Sequence, residues 1–298
     1  MLRGMTNQIR DCLPPDRNPR RPRVALPKGS IDTHVHVFEP GYPLSPDRGY
    51  NPPPSTLKDL EHLHAALNIE RVVFTQPSVY GTDNSAILDA MAALNAATPG
   101  RARCVIAVDM NIRDDEIAAL DAAGVRGVRL NTDNKGGMPI EMREIPDLVA
   151  RIAPFRWHIE FLFPGKDIVE LMPVFGALKA PMSIGHFAYQ PATAGVRAGG
   201  FQALLELVRR GNTWVKISGA NRVSATDLPP YDDVAPMAHA LIEAAPDRIM
   251  WGTDWPHPNK YVVNPNDRDL VDALGDWVAD EGMRRRILVD TPAAFYRF

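Results

Sequence analysis

Read by its apolar and polar positions, the chain divides into two unlike parts. Residues 1–27 are rich in Arg and Pro and carry no apolar period. Such a segment cannot bury enough apolar surface to fold by itself, so it reads as an extended arm, either mobile or draped over its neighbour. From residue 28 to residue 298, short apolar runs alternate with amphipathic stretches. The runs at 30–38, 71–76, 104–109, 125–131, 158–163, 182–186, 214–218 and 248–252 read as strands. The stretches at 56–67, 84–96, 115–123, 168–178, 201–208 and 233–244 read as helices. Strands separated by helices of about 10–15 residues imply βαβ units and a parallel sheet. Eight such strands suit a closed (β/α)8 TIM barrel better than an open sheet, and they read as near-continuous apolar runs because helices and core cover both faces. Two further helical stretches, 267–278 and 284–298, are expected to close the barrel.

Composition narrows this picture without changing it. Lys and Arg total 33 against 36 Asp and Glu, a net charge of −3, with 45% apolar residues. A near-neutral balance argues against nucleic acid as a partner, since displacing counterions from phosphates needs a basic surplus. No apolar run reaches the roughly 18 residues of a membrane helix. Cys12 and Cys104 lie far apart and without metal spacing, which suits a reducing compartment. These features together read as a soluble cytoplasmic protein. Its oligomeric state is open, a homo-oligomer being allowed.

In a TIM barrel the chemistry sits at the carboxyl ends of the strands. The first strand there reads Ile31-Asp32-Thr33-His34-Val35-His36-Val37-Phe38. Residues two apart on a strand point the same way, so His34 and His36 share a face. The sixth strand ends on His186, and the eighth runs into Gly252-Thr253-Asp254-Trp255-Pro256-His257. A carboxylate in this setting can take a proton from water while imidazoles stabilise the oxyanion that forms. The same four residues, His34, His36, His186 and Asp254, could instead hold one Zn²⁺ or another divalent metal. His158, at the start of the fifth strand, falls at the wrong end of the barrel and reads as structural. His62 and His64 read as a solvated helix face, and Arg284-Arg285-Arg286 as a helix surface.

The HxH of strand one, the strand-six histidine and the strand-eight run resemble the amidohydrolase superfamily. Within it the chain is similar to the branch that contains 2-pyrone-4,6-dicarboxylate lactonase. That likeness rests on Gln76-Pro77-Ser78, Gly81-Thr82-Asp83-Asn84 and Gly127-Val128-Arg129-Leu130-Asn131, and it spans about residues 24–298. The resemblance implies a TIM-barrel hydrolase that works without a metal on a small carboxylated lactone, in the catabolism of aromatic compounds. It assigns Asp254 to activating water and His34, His36 and His186 to polarising the carbonyl. Arg129, Arg222, Tyr50, Ser78, Tyr80 and Lys135 stand where this reading wants substrate-binding groups, because a buried carboxylate must be paired. Three departures alter the anion-binding wall: Leu162 where the branch has tyrosine, Lys135 where it has arginine, and Gly185 where aspartate is usual. A muconolactone-type ring or a sugar-acid lactone therefore stands level with the pyrone dicarboxylate. The alternative within the superfamily is a metal-dependent decarboxylase, hydratase or sugar-acid lactone isomerase.

Overall fold

The structure, a computed structural model, describes residues 9–133 and 139–298. Eight parallel strands follow one another in chain order around a single sheet. They are β1 (Ile31–Val35), β2 (Arg71–Thr75), β3 (Ala102–Ile106), β4 (Val125–Asn131), β5 (His158–Leu162), β6 (Met182–Ile184), β7 (Thr213–Lys216) and β8 (Ile249–Met250). A helix follows each: α1 (Leu57–Leu67), α2 (Ser85–Ala97), α3 (Asp114–Ala123), α4 (Ile145–Ile152), α5 (Ile168–Ala177), α6 (Gly199–Arg209), α7 (Ala235–Ala244) and α8 (Asp267–Trp277). The expected TIM barrel is the fold observed. The one barrel helix absent from the sequence reading is α4. Its buried Ile145, Leu148, Val149 and Ile152 form a clear apolar stripe over only two turns, and Pro146 sits at its start.

The seam between β1 and β8 closes the sheet on itself. Thr33 donates its amide to Trp251 O at 3.3 Å and His36 to Trp255 O at 2.9 Å. Asp32 holds the seam with a fully buried carboxylate. It accepts the Thr253 amide at 2.9 Å and the Thr253 hydroxyl at 2.6 Å. Gly252 is required here, because a Cβ would lie 2.7 Å from the His34 nitrogen. His64 of α1 completes this network, its Nε2 3.3 Å from Asp32 Oδ2. The solvated face expected for His62 and His64 thus holds only for His62. His64 falls on the stripe of Leu60, Leu63 and Leu67 that α1 turns inward, and a buried imidazole there finds a partner in the carboxylate.

The barrel interior is layered. Ile31, Val73, Val105 and Met250 form an apolar floor, which Tyr296 of the C-terminal segment seals. His158 belongs to this end. Its Nδ1 bonds Arg126 O at 2.9 Å and its ring packs on Phe295 and Tyr296. The described part of the arm is draped over the barrel. Arg10–Asp11 pairs in parallel with Tyr50–Asn51, and Arg20 and Arg23 reach Asp269 and Asp272 of α8. Cys12 and Cys104 are both free and buried. Among the described residues, no helix is long and apolar enough to cross a membrane.

Candidate active site

At the carboxyl ends of the strands, His34, His186 and Asp254 each present a ligand-capable atom within 4.8 Å of the others. His186 Nε2 lies 3.4 Å and His34 Nε2 3.9 Å from Asp254 Oδ1. The His34 ring sits 5.0 Å from that of His36 and 4.7 Å from that of His186, centroid to centroid. The predicted quartet is therefore assembled in one place. His36, His186 and Asp254 line the cavity and His34 lies behind them, while the group that could hold a metal ion is His34, His186 and Asp254.

Local backbone positions these groups. His186 opens a left-handed turn, His186 to Tyr189, in which every φ lies between 52° and 53°. Asp254 is left-handed as well, at φ 66°. Such conformations cost non-glycine residues on the order of 1 kcal/mol or more each and persist only where the surroundings enforce them. Gly219, with φ +65°, clears the space that His186 needs, since a Cβ would meet its Nδ1 at 2.8 Å. The Ser218 hydroxyl, 2.9 Å away, fixes that same nitrogen.

Charge in the site is arranged by two buried ion pairs. Asp254 Oδ2 accepts Arg222 Nε, and Arg222 also donates to Pro258 O at 2.9 Å. Burial alone would raise the Asp254 pKa, but the Arg222 cation, with His186 and His257, holds it well below the usual carboxylate range. Deeper in the barrel, Lys216 Nζ pairs with Glu160 Oε2 and donates to Thr33 O at 2.8 Å. Burial pushes the histidines down, to about 3 for His36, with Arg129 assisting, and to about 4 for His186. His34 is lowered by burial and by Lys216. All three are thus neutral at physiological pH.

A small cavity opens above these groups. Of the expected substrate-binding residues, Arg129, Arg222, Tyr50 and Ser78 line it. Arg129 bonds Gln76 O at 2.7 Å through one terminal nitrogen, while its buried Nε has no hydrogen-bond partner. Arg222 lines the cavity with its Nε bonded to Asp254 and one terminal nitrogen to Pro258 O. Tyr80 does not line this cavity. Its ring packs against Phe38 with centroids 6.2 Å apart, because the short helical turn Ser78–Tyr80 carries Ser78 and Tyr80 to different surroundings. Lys135 lies outside the described residues. Leu162 lines the cavity, as do Asp133 and Tyr189. Sequence reasoning missed these last two, and also Glu160 and Lys216. Opposite charges inside two apolar strands were the available signal for the buried pair; the turn that brings in Tyr189 contains no glycine or asparagine to betray it.

Comparison with known proteins decides the family. The amidohydrolase family model matches residues 31–298. The chain belongs to the amidohydrolase family. Among this amidohydrolase's relatives, 4-sulfomuconolactone hydrolase of Hydrogenophaga intermedia is 36% identical over 291 residues, covering 96% of this chain and 94% of that protein. The 2-pyrone-4,6-dicarboxylate hydrolase of Comamonas testosteroni is 35% identical, with 94% and 93% covered. A crystal structure from Acinetobacter baumannii, described as a probable 2-pyrone-4,6-dicarboxylic acid hydrolase with citric acid bound, superposes with a TM-score of 0.78. It is 25% identical, and the match covers 91% of this chain and all of that one.

Proposed function

We propose that this amidohydrolase opens a small anionic lactone by hydrolysis. The observation that carries the reading is that His36, His186 and Asp254 line one small cavity, with His34 packed against all three, and that the cavity wall contains the buried, incompletely bonded Arg129. Two lactone hydrolases among the relatives, and a citrate-bound neighbour, support a carboxylated substrate.

In this mechanism Asp254 orients the attacking water through Oδ1 and takes its proton as the tetrahedral carbon forms; collapse of that intermediate breaks the ring C–O bond, and Asp254 returns the proton to the leaving ring oxygen. Arg222 on Oδ2 keeps the carboxylate ionised over the whole working pH range and lowers its basicity in exchange. Neutral imidazoles facing Asp254 donate to the carbonyl oxygen as negative charge develops on it. Arg129 pairs with the substrate carboxylate and fixes the ring.

The superfamily's metal chemistry would call on the same residues. The spacing of His34, His186 and Asp254 suits a single divalent ion. Their charge environment does not: the Lys216 ammonium lies 3.2 Å from His34 Nδ1, and the Asp254 charge is already balanced by Arg222. A dication there would face two fixed cations. We therefore derive no step through a metal.

The test is a pH-controlled hydrolysis screen of carboxylated pyrones, muconolactones and aldonolactones, on enzyme with and without chelator and added Zn²⁺. We expect ring opening of at least one carboxylated lactone, insensitive to chelator. Asp254→Asn should lower kcat by about 10²–10⁴-fold while KM changes little. Near-native turnover by Asp254→Asn removes the base. Activity lost with chelator and restored by Zn²⁺ replaces the metal-free mechanism. An isomerised rather than opened product assigns the site to lactone isomerisation.

A further inference from the structure

Lys216 ends β7 with its side chain fully buried, and each of its three ammonium donors has an acceptor. Thr33 O lies at 2.8 Å, Glu160 Oε2 is paired directly, and His34 Nδ1 lies at 3.2 Å. An ammonium has no lone pair, so at this contact the ring nitrogen must accept. A ring nitrogen that accepts carries no proton, so the ring's one proton sits on the other nitrogen. We infer that Lys216 is a positioning residue that fixes His34 as the Nε2–H tautomer, so that its proton faces Asp254 and His186. The inference rests on the lactonase reading only for the role of that proton, which is to meet the developing oxyanion.

The opposite tautomer is available, which gives Lys216 something to decide. Glu160 Oε1 lies 3.5 Å from His34 Nδ1 and has no hydrogen-bond partner of its own. Without the ammonium, Nδ1–H would donate to that oxygen and Nε2 would present a lone pair to the cavity side. A lone pair repels an oxyanion and suits a metal cation instead. His34 Nε2 is itself buried with no hydrogen-bond partner, as expected of a donor held for a ligand atom.

His36 behaves oppositely. Its Nδ1 lies 2.7 Å from Thr75 O, an acceptor only, so Nδ1 carries the proton and Nε2 the lone pair. The two histidines of the HxH motif are therefore not an equivalent pair. His34 is a donor to the carbonyl oxygen, and His36 is an acceptor for a hydroxyl or water. On this inference only His34 of the two would polarise the carbonyl.

Side-chain ¹⁵N NMR of the full chain with labelled histidine reads the tautomers without any substrate, so it is independent of whether a lactone is the true ligand. Assignment uses His34→Gln and His36→Gln. We expect Nε2–H at His34 and Nδ1–H at His36 in the wild type. Lys216→Met should convert His34 to Nδ1–H and lower kcat by about 10²–10³-fold, the loss typical of one oxyanion donor, with KM changed about threefold or less. Lys216→Arg should retain Nε2–H and recover part of that loss. A wild-type His34 with its proton on Nδ1 overturns the inference, as does a Lys216→Met enzyme that keeps both Nε2–H and kcat. Should Lys216→Met fail to fold, the wild-type spectrum decides alone.

Discussion

Lys216–Glu160 and Arg222–Asp254 are both buried ion pairs, and they differ in what surrounds them. The first is enclosed by strands, with side chains 0% and 2% exposed. The second borders the cavity, where Arg222 retains 10% exposure and sits in the chain after β7. Every donor of Lys216 is used inside the protein, whereas Asp254 turns Oδ1 toward His34 and His186. Similar charge chemistry thus serves two ends in this barrel. The enclosed pair sets a fixed field around His34, and the cavity-edge pair keeps the proposed base, Asp254, ionised.

The sharpest way to separate them is to neutralise one member of the enclosed pair. Glu160→Gln leaves the Lys216 ammonium buried without its counter-charge. Breaking such a pair on one side costs about 3–5 kcal/mol. We expect a fall in Tm of several degrees, measured by calorimetry at neutral pH, together with reduced turnover. A Glu160→Gln protein with unchanged Tm shows that the pair contributes no stability. An equal Tm loss on breaking the Arg222–Asp254 pair erases the contrast between enclosed and cavity-edge pairs.

Arg222→Met probes the other pair by pH. The guanidinium favours the ionised carboxylate, so in the wild type the acid limb governed by Asp254 lies well below the usual carboxylate range. Removing it leaves burial as the dominant influence, and burial favours the protonated acid. The pKa then rises by about 1–3 units. The acid limb of kcat/KM moves up by that amount, and activity is lost at a higher pH than in the wild type. An unshifted profile means that Arg222 does not control the ionisation of Asp254.

These contrasts explain what the amino-acid pattern could reveal. The strands were legible because sheets covered on both faces read as apolar runs, and the amidohydrolase quartet was legible because its members end those runs. Lys216 and Glu160 were hidden for the same reason: inside apolar strands a single charge looks like noise, and only their spatial pairing explains either. His64 was obscured by an exposed neighbour, His62, although its spacing from Leu60 and Leu67 puts it on the buried stripe of α1. Arg222 was correctly placed near the cavity, but its bond to Asp254 depends on the loop after β7. That loop folds through Gly219 at positive φ, a conformation that the residue pattern marks only by a glycine.

His158 gives the smallest expected effect and extends the comparison down β5. It lies two residues before Glu160 on the same strand, yet its bonds are to Arg126 O and the aromatic rings of the floor. Burial lowers its pKa from 6.5 to about 4, so the native ring is neutral. The unfolded chain takes up a proton near pH 6.5. Between these values the unfolded state binds more protons, so stability rises with pH and is lost as pH falls below about 6.5. At pH 5 this one ring accounts for about 2 kcal/mol of lost stability. His158→Gln removes that proton uptake and can still donate to Arg126 O, so its Tm should fall less than the wild type's between pH 7.5 and pH 5. Turnover should stay within about twofold, because the floor does not reach the cavity. A His158→Gln enzyme with the wild-type pH slope would show that the acid sensitivity belongs to the mouth histidines alone. A large loss of turnover would show that floor and mouth are coupled through Glu160.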